Sequence, residues 1–551
     1  MRHRARRVPA TAARTRTLSR RLAVLSAPIA AAAMVASSGP ASAAGKPGTV
    51  HTSHATVRTA SLPGRIRYLA GSRPRHRRVV IRLVRKVDAA KLPRPKITKP
   101  QSEPVETKPK RLKPRTTGIV TLGLRGKARA RGTGRLSPAI TQGVSVTGVQ
   151  IDGSIPPDTQ VAAGGAKGQW IVEMVNHAGS VFSNSGTLLA SFDLGALFFG
   201  ATGTGSDPKV VYDRASGDFF AAYLRPGIGG TNKSQVNLAV SNNPLGTWSV
   251  YQVSVENLLQ DQPKLGFSSD KLVMSWNQNG NSGPEQYMVI QKSGVVALAS
   301  SVPAVIWNPD SSRLNVIPAI QVTSGNTAFA IFHNYNSSSV GVMAFTGVPG
   351  VSPVNFTDVQ RGVAGTTSPP GGLQPGSTSP KLATGDDRLE SAVWSNGNLW
   401  AAGNDACRFR TDTATRACLR VVHVSTVSMT VLRDVDITLV GGSLMYPAVV
   451  VDTQGNLWLA FSASSPSLFA SAAIAEAPGG TIGTSIGGII YKTGTGEMDY
   501  AGCTKPATQR FGDYTGIAAD PVRLGIWAAA EDGALAKQPC FWSTQVAQFA
   551  P

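Results

Sequence analysis

Five aspartates recur at comparable points of the chain: Asp158, Asp207, Asp261, Asp387 and Asp513. Each stands at, or within a residue or two of, the start of a run rich in β-branched side chains. If those starts converge, five carboxylates surround one opening. Such a set could hold a cation such as calcium through its oxygens, or accept hydrogen bonds from a sugar or an amine. The competing reading is local: an Asp at a turn bonds nearby backbone N–H groups, and a repeated turn repeats its residue. One further cluster is mixed, Arg510 with Asp513 and Tyr514. A guanidinium fork can grip a carboxylate or phosphate, and a tyrosine face can stack on a sugar. The alternative is an Arg–Asp pair that fixes a strand start.

Other chemistries lack their residues. The chain has no phosphate-cradling glycine loop and no His-Glu-x-x-His pair. His177, His333 and His423 are scattered and read as packing residues. Asn277-Gln278-Asn279-Gly280-Asn281 is a polar turn without the terminal Glu of a calcium loop.

The elements that must position the aspartates repeat. The clearest copy runs Tyr446-Pro447-Ala448-Val449-Val450-Val451-Asp452, a turn Thr453-Gln454-Gly455-Asn456, then Leu457-Trp458-Leu459-Ala460-Phe461. Similar pairs start near 158, 207, 261, 317, 388 and 513. Each reads as two antiparallel strands, because β-branched and aromatic runs suit a pleated, buried surface and Gly or Asn supplies the positive φ of a tight turn. The spacing leaves room for two more strands per copy; Leu238–Ser241 and Trp248–Tyr251 are one such outer pair. The expectation is an all-β fold, a β-propeller of seven four-stranded blades. The last copy is short of a strand. A segment from the N-terminal side, Val144–Ile151, is expected to complete it and close the ring.

Four cysteines, 407, 418, 503 and 540, have spacings unlike zinc ligand pairs. Cys407 is expected to pair with Cys418, stapling a polar loop, and Cys503 with Cys540, tying the last blade.

These residues also resemble a family. Pro157-Asp158-Thr159, Asp207-Pro208-Lys209-Val210-Val211-Tyr212-Asp213, Ala239-Val240-Ser241 with Pro244 and Gly246-Thr247-Trp248, and Arg510-Phe511-Gly512-Asp513-Tyr514 with Asp520-Pro521 follow in order. The stretch from about 150 to 551 looks like secreted bacterial β-propeller proteins distantly related to the sialidase-type repeat superfamily. Phe511 stands where that family commonly has Trp. The resemblance implies a propeller and export, and no settled reaction. A sialidase would need an arginine cluster, a tyrosine with a glutamate partner and an aspartic acid. Only seven glutamates follow residue 150; Glu497 and Tyr500 are close in sequence, but no convincing set emerges. The turn Ser241–Trp248 resembles the sialidase Asp-containing turn, with Asn243 for Asp.

Charge divides the chain. The formal net charge is +24, but residues 1–150 carry 33 Lys and Arg against three acids, a net of +30, and the rest is acidic at −6. The repeat body is therefore not a basic nucleic-acid binder, and no nucleic acid is expected as partner. Residues 1–43 read as a signal peptide: eight arginines, a mild apolar run Leu22–Ala36, and Ala41-Ser42-Ala43 before cleavage after Ala43. Arg20-Arg21 resembles a twin-arginine signal, without the usual Phe two residues on. Residues 44–139, with Arg73–Arg78 and a Lys/Pro-rich stretch from Lys91 to Pro114, are expected to be an unfolded basic spacer. Its partners would be anionic envelope polymers or lipid head groups. Val79–Arg85 could lie on a membrane surface. The functional expectation is a secreted, envelope-associated module of residues 140–551 that binds a glycan or protein at its face. The alternative is a carbohydrate-active enzyme, a hydrolase or lyase, at the channel mouth.

Overall fold

A computed structural model describes residues 74–95, 101–102, 113–125, 140–150, 153–280, 283–376, 379–500, 510–533 and 540–551. The signal segment, its cleavage point and Cys503 lie outside the described residues.

Among the described residues the pairings fall into seven antiparallel four-strand runs, six of them simple meanders and the seventh completed by a strand from before the repeats. Sheet 1 is Gln160–Gly164, Trp170–Met174, Ala178–Ser183 and Leu188–Asp193. Sheet 2 is Ser206–Asp213, Asp218–Arg225, Ser234–Ser241 and Thr247–Glu256. Sheet 3 is Gln260–Phe267, Lys271–Gln278, Glu285–Gln291 and Ser301–Trp307. Sheet 4 is Ile317–Pro318, Ala328–Phe332, Ser339–Thr346 and Asn355–Gly362. Sheet 5 is Leu389–Ser395, Asn398–Cys407, Arg416–Ser425 and Thr430–Thr438. Sheet 6 is Ser443–Val451, Leu457–Ser465, Leu468–Ala477 and Ser485–Lys492. Sheet 7 is Gly516–Ala519, Ile526–Gly533, Trp542–Ala550 and, as its outer strand, Thr141–Gln150.

A separate apolar cluster fills each junction between neighbouring sheets. Val211, Leu238 and Met274 belong to the one between sheets 2 and 3. Val161, Ile171, Trp527 and Val546 seal sheet 7 against sheet 1 and close the circle. The first strands pack side by side around the ring, so this is a β-propeller with the first strands lining a central channel. The hairpin turns follow from the sequence. Asp452 accepts from the backbone N–H of Gln454 (2.9 Å) and Asn456 (3.0 Å) and from the Trp458 indole (2.9 Å). Asp520 does the same for Val522, Arg523 and the Trp527 indole. Gly455 takes the positive φ of 87° that its turn demands.

The first 140 residues depart from expectation. His76–Asp88, read as part of an unfolded spacer, is a strand. It pairs antiparallel with the outer strand of sheet 3 through His76–Arg82 and with that of sheet 2 through Arg82–Asp88. Ile81, 1% exposed, joins the cluster between those sheets, with Val79 and Leu83 packed beside it. Ile119–Arg125 is a second strap, parallel to the outer strands of sheets 5 and 6, with Val120 and Leu122 in their shared cluster. Pairing therefore runs continuously through one nineteen-stranded network. The fold starts well before residue 140, and the membrane reading of Val79–Arg85 gives way to strand pairing. Five Lys and Arg, at 77, 78, 82, 85 and 86, hid an ordinary half-buried strand.

Between the straps, Arg115 is held inside the rim. Its Nη1 meets the carboxylates of Asp434 (3.2 Å) and Asp436 (3.3 Å), and its Nη2 donates to the Asp434 carbonyl (2.7 Å). Cys407 and Cys418 form the expected disulfide between adjacent strands of sheet 5. Cys540 is disulfide-bonded as well.

Candidate functional site

The strand starts do converge on the channel, and the recurring feature there is backbone conformation. Asp158, Asp207, Gln262, Asn315, Tyr446 and Asp513 all have left-handed φ, between 49° and 84°. Asp and Asn tolerate that region better than most residues, so the repeated Asp marks a repeated bend. Gln262, not Asp261, holds the position in sheet 3, and Asp261 sits beside it, half-buried. Asp387 falls outside the series. Its carboxylate accepts from the Thr366 hydroxyl (2.6 Å) and the Asn336 N–H (2.7 Å). Asp207 accepts from the Ser206 hydroxyl, and its N–H donates to the Asn176 side chain (2.8 Å). Asp513 pairs with Arg510.

Asp158, Asp207, Asp387 and Asp513 are 0, 3, 1 and 7% exposed. A ring of carboxylates at an open mouth is therefore not what the sequence aspartates make. Arg388 bridges Asp386 and Gln262 across this end, and it lines, with Tyr446, Tyr514 and Asp513, a gap of only about 20 Å³. Among the described residues no group of three or more His, Cys, Asp or Glu is placed to hold a metal ion.

Just inside this plug lie residues that the motif search passed over. Lys209 Nζ rests 3.3 Å from the centroid of the Tyr514 ring, a cation–π contact in a desolvated place. Burial pulls its pKa down to about 7, against the pull of Asp207 and Asp158. Lys264, at the same point of the next sheet, donates to Asn277 (2.9 Å) and meets Glu285 (3.2 Å). Glu390 accepts from Asn404 (2.7 Å) with one oxygen; burial drives its pKa well above the carboxylate range. Lys209, Glu390 and Tyr514 together line a cavity of about 60 Å³. The sequence signal was the Pro-Lys pair repeated at 208–209 and 263–264.

At the opposite end, where the first hairpins turn, the channel widens to about 350 Å³ between aliphatic walls, with Arg214, Thr323 and Asn396 at its rim. Sequence reading had placed the binding face at the other end.

A third arrangement links positions far apart in sequence. The Tyr500 hydroxyl donates to Glu531 (2.7 Å), whose other oxygen accepts from the Gly512 N–H (2.7 Å). Burial raises Glu531 to about 8 and lifts the Tyr500 phenol well above its usual range. The carboxylate partner of Tyr500 is Glu531, and not Glu497, its neighbour in sequence. Ser241–Trp248 is a structural turn in which the Ser241 hydroxyl takes the Asn243 N–H and the Trp248 indole donates to the Pro244 carbonyl.

No family model matches the chain, and no curated protein matches it. Among solved structures, a Hadza microbial sialidase matches with a TM-score of 0.34 and 12% identity, over 56% of this chain and 64% of that one. The NanB sialidase from Streptococcus pneumoniae matches at 0.34 and 10%, over 55% and 64%. An α-L-arabinofuranosidase from Fusarium graminearum matches at 0.31 and 8%, over 54% and 81%. The chain thus spans less than two thirds of the first two proteins' length. At these identities and TM-scores the matches assign this chain neither a family nor a role for any residue.

Proposed function

We propose that this protein is an exported propeller that binds at an anionic cell envelope through its N-terminal arm and works as an interaction module. The observation that carries this reading is the outer face of His76–Asp88. With Val79, Ile81 and Leu83 turned inward, Arg78, Val80, Arg82, Val84 and Lys86 form the exposed row, next to exposed Arg75 and Arg77. Strand pairing fixes this row on the rim, so the positive charge is presented at every fourth residue, at 78, 82 and 86, with a valine between each pair. A ladder of exposed cations attracts polyanions over roughly a Debye length of 8 Å at physiological salt. The disulfide in sheet 5 is compatible with an oxidising compartment.

The test compares mature protein starting at Ala44 with a triple variant, Arg78→Gln, Arg82→Gln and Lys86→Gln, on isolated envelopes at low and high salt. Salt-sensitive retention that the variant loses is expected. Equal retention of the two proteins would remove the arm from recognition.

The Tyr500–Glu531 pair favours a second reading, a carbohydrate-active enzyme, since a tyrosine with a carboxylate partner is what a sialidase-like mechanism requires. Both side chains are buried, at 0 and 1% exposure, and neither pKa is shifted toward an activated nucleophile. Turnover of aryl glycosides that disappears in Glu531→Gln would establish this reading in place of the first.

A further inference from the structure

The small polar cavity and the wide aliphatic one are parts of one passage: Val161, Val210, Val211, Ile320 and Ile517 line both. The passage is blind. It is open among the hairpin turns and stopped at the strand-start end by Arg388, Tyr446 and Tyr514. Its upper walls are mostly aliphatic and aromatic, with Phe267, Val322 and Val450 added to the shared residues, and carry polar groups in Gln321, Ser395, Thr453 and Gln454. The two rim carboxylates, Asp452 and Asp520, already bond their turns and a tryptophan each.

The floor is different. Lys209, Lys264, Glu390 and Tyr514 are among the polar groups that line the inner cavity. Tyr514, 7% exposed, has a hydroxyl with no hydrogen-bond partner, and one oxygen of Glu390 has none either. Lys209, 9% exposed, stacks on the Tyr514 ring. Buried polar groups are normally satisfied. Two unsatisfied ones beside a lysine at the end of the tube leave hydrogen-bonding capacity for whatever enters. A volume of about 350 Å³ lies within the range of small-molecule pockets.

We propose that the channel is a binding site for a small amphiphile, an aliphatic monocarboxylate that enters chain-last and sets its head group against Lys209 and Tyr514. The aliphatic body stays in the wide part, where burial of apolar surface supplies the attraction. The head accepts from the lysine ammonium and the phenol, and protonated Glu390 can donate a third hydrogen bond. Neighbouring Asp207 and Asp158 oppose an anion, Lys264 favours it, and a head that is a single carboxylate is the smallest group that satisfies all three donors. The site is independent of the arm and of the envelope reading.

The probe is decanoate, titrated calorimetrically into the full mature protein, with decanol and decylamine as controls. Saturable one-to-one binding of decanoate is expected, at least tenfold tighter than decanol and with decylamine weaker still. Lys209→Met should weaken decanoate tenfold or more and leave decanol within about twofold. Tyr514→Phe keeps the ring beneath Lys209 and should weaken decanoate alone. Ala519→Leu, which fills the wide part, should weaken both. Melting curves identify any variant that does not fold, and the wild-type titrations stand without the variants. Absence of saturable decanoate binding, equal affinity for decanol, or decanoate binding unchanged in folded Lys209→Met and Tyr514→Phe would each overturn the proposal.

Discussion

Of the strands contributed from before the repeats, Thr141–Gln150 and His76–Asp88 do different work at the rim. Thr141–Gln150 pairs with one partner, Trp542–Ala550, and completes sheet 7. His76–Asp88 pairs with two, the outer strands of sheets 2 and 3, each of which already belongs to a complete four-strand sheet. The first closes a ring; the second covers edges that would otherwise present unpaired backbone to solvent. Closure is a property of the whole circle, since an incomplete sheet 7 breaks the seal to sheet 1. Edge cover is local. The fold should therefore respond very unequally to losing them.

The largest expected effect tests that inequality directly. A chain starting at residue 151 lacks the closing strand and should lose cooperative unfolding by circular dichroism. A chain starting at 140 keeps it and should still melt cooperatively, at a lower temperature and with greater aggregation. If the two truncations behave alike, the distinction between closure and cover fails.

Arg115→Ala comes next. It takes the bridging cation from Asp436, which is 0% exposed, and leaves Asp434 with Arg420 alone (3.0 Å); breaking a buried pair on one side costs about 3–5 kcal/mol. Denaturant unfolding measures it. Ile81→Ala removes the deepest side chain of the first strap and should cost about 2–4 kcal/mol, within the usual range for a buried Ile truncated to Ala. A loss near zero would mean that the strap contributes pairing without packing.

The closing strand also carries a pH signature that the straps lack. Glu173 accepts from the Val149 N–H and the Thr544 hydroxyl, yet burial raises its pKa from 4.5 to about 7. A folded pKa above the unfolded one means that its contribution is complete below about pH 4.5 and is lost as pH rises through 7. The loss amounts to about 3 kcal/mol at 1.36 kcal/mol per unit. Glu173→Gln should flatten the melting temperature between pH 5 and 8; an unchanged slope would assign the dependence elsewhere. The smallest effect belongs to the outer row of the strap. Arg78→Gln, Arg82→Gln and Lys86→Gln together should change stability by no more than about 0.5 kcal/mol per site, while changing envelope retention.

The hairpins were legible because their signals are local: Val449-Val450-Val451, the Asp-to-Asn turn and Leu457-Trp458-Leu459 lie within a few residues of one another. The closing strand was legible by deficit, since the last copy lacked a partner, and Val144–Ile151 overlaps the observed Thr141–Gln150. The straps were not. In Arg78–Lys86 the inward residues are the minority, and composition outweighed alternation. Asp261 was misplaced by one residue because the bend, at Gln262, is a backbone property that several side chains can satisfy. Tyr500 and Glu531 meet only through the packing of separate segments, which no spacing rule contains.

The closing strand has one more consequence, in the time domain. Gln545 bonds Ser145 across 400 positions of sequence, so the ring cannot shut until almost the whole chain is present. Contacts that distant slow folding, because loop-closure entropy is lost before any pairing compensates for it. The straps wait as well, the first until Ser301–Trp307 and the second until Ser485–Lys492 has formed. A Lys- and Arg-bearing strand is poor at pairing with its own copies, so the charges that face outward in the finished molecule also keep the unfinished ones apart.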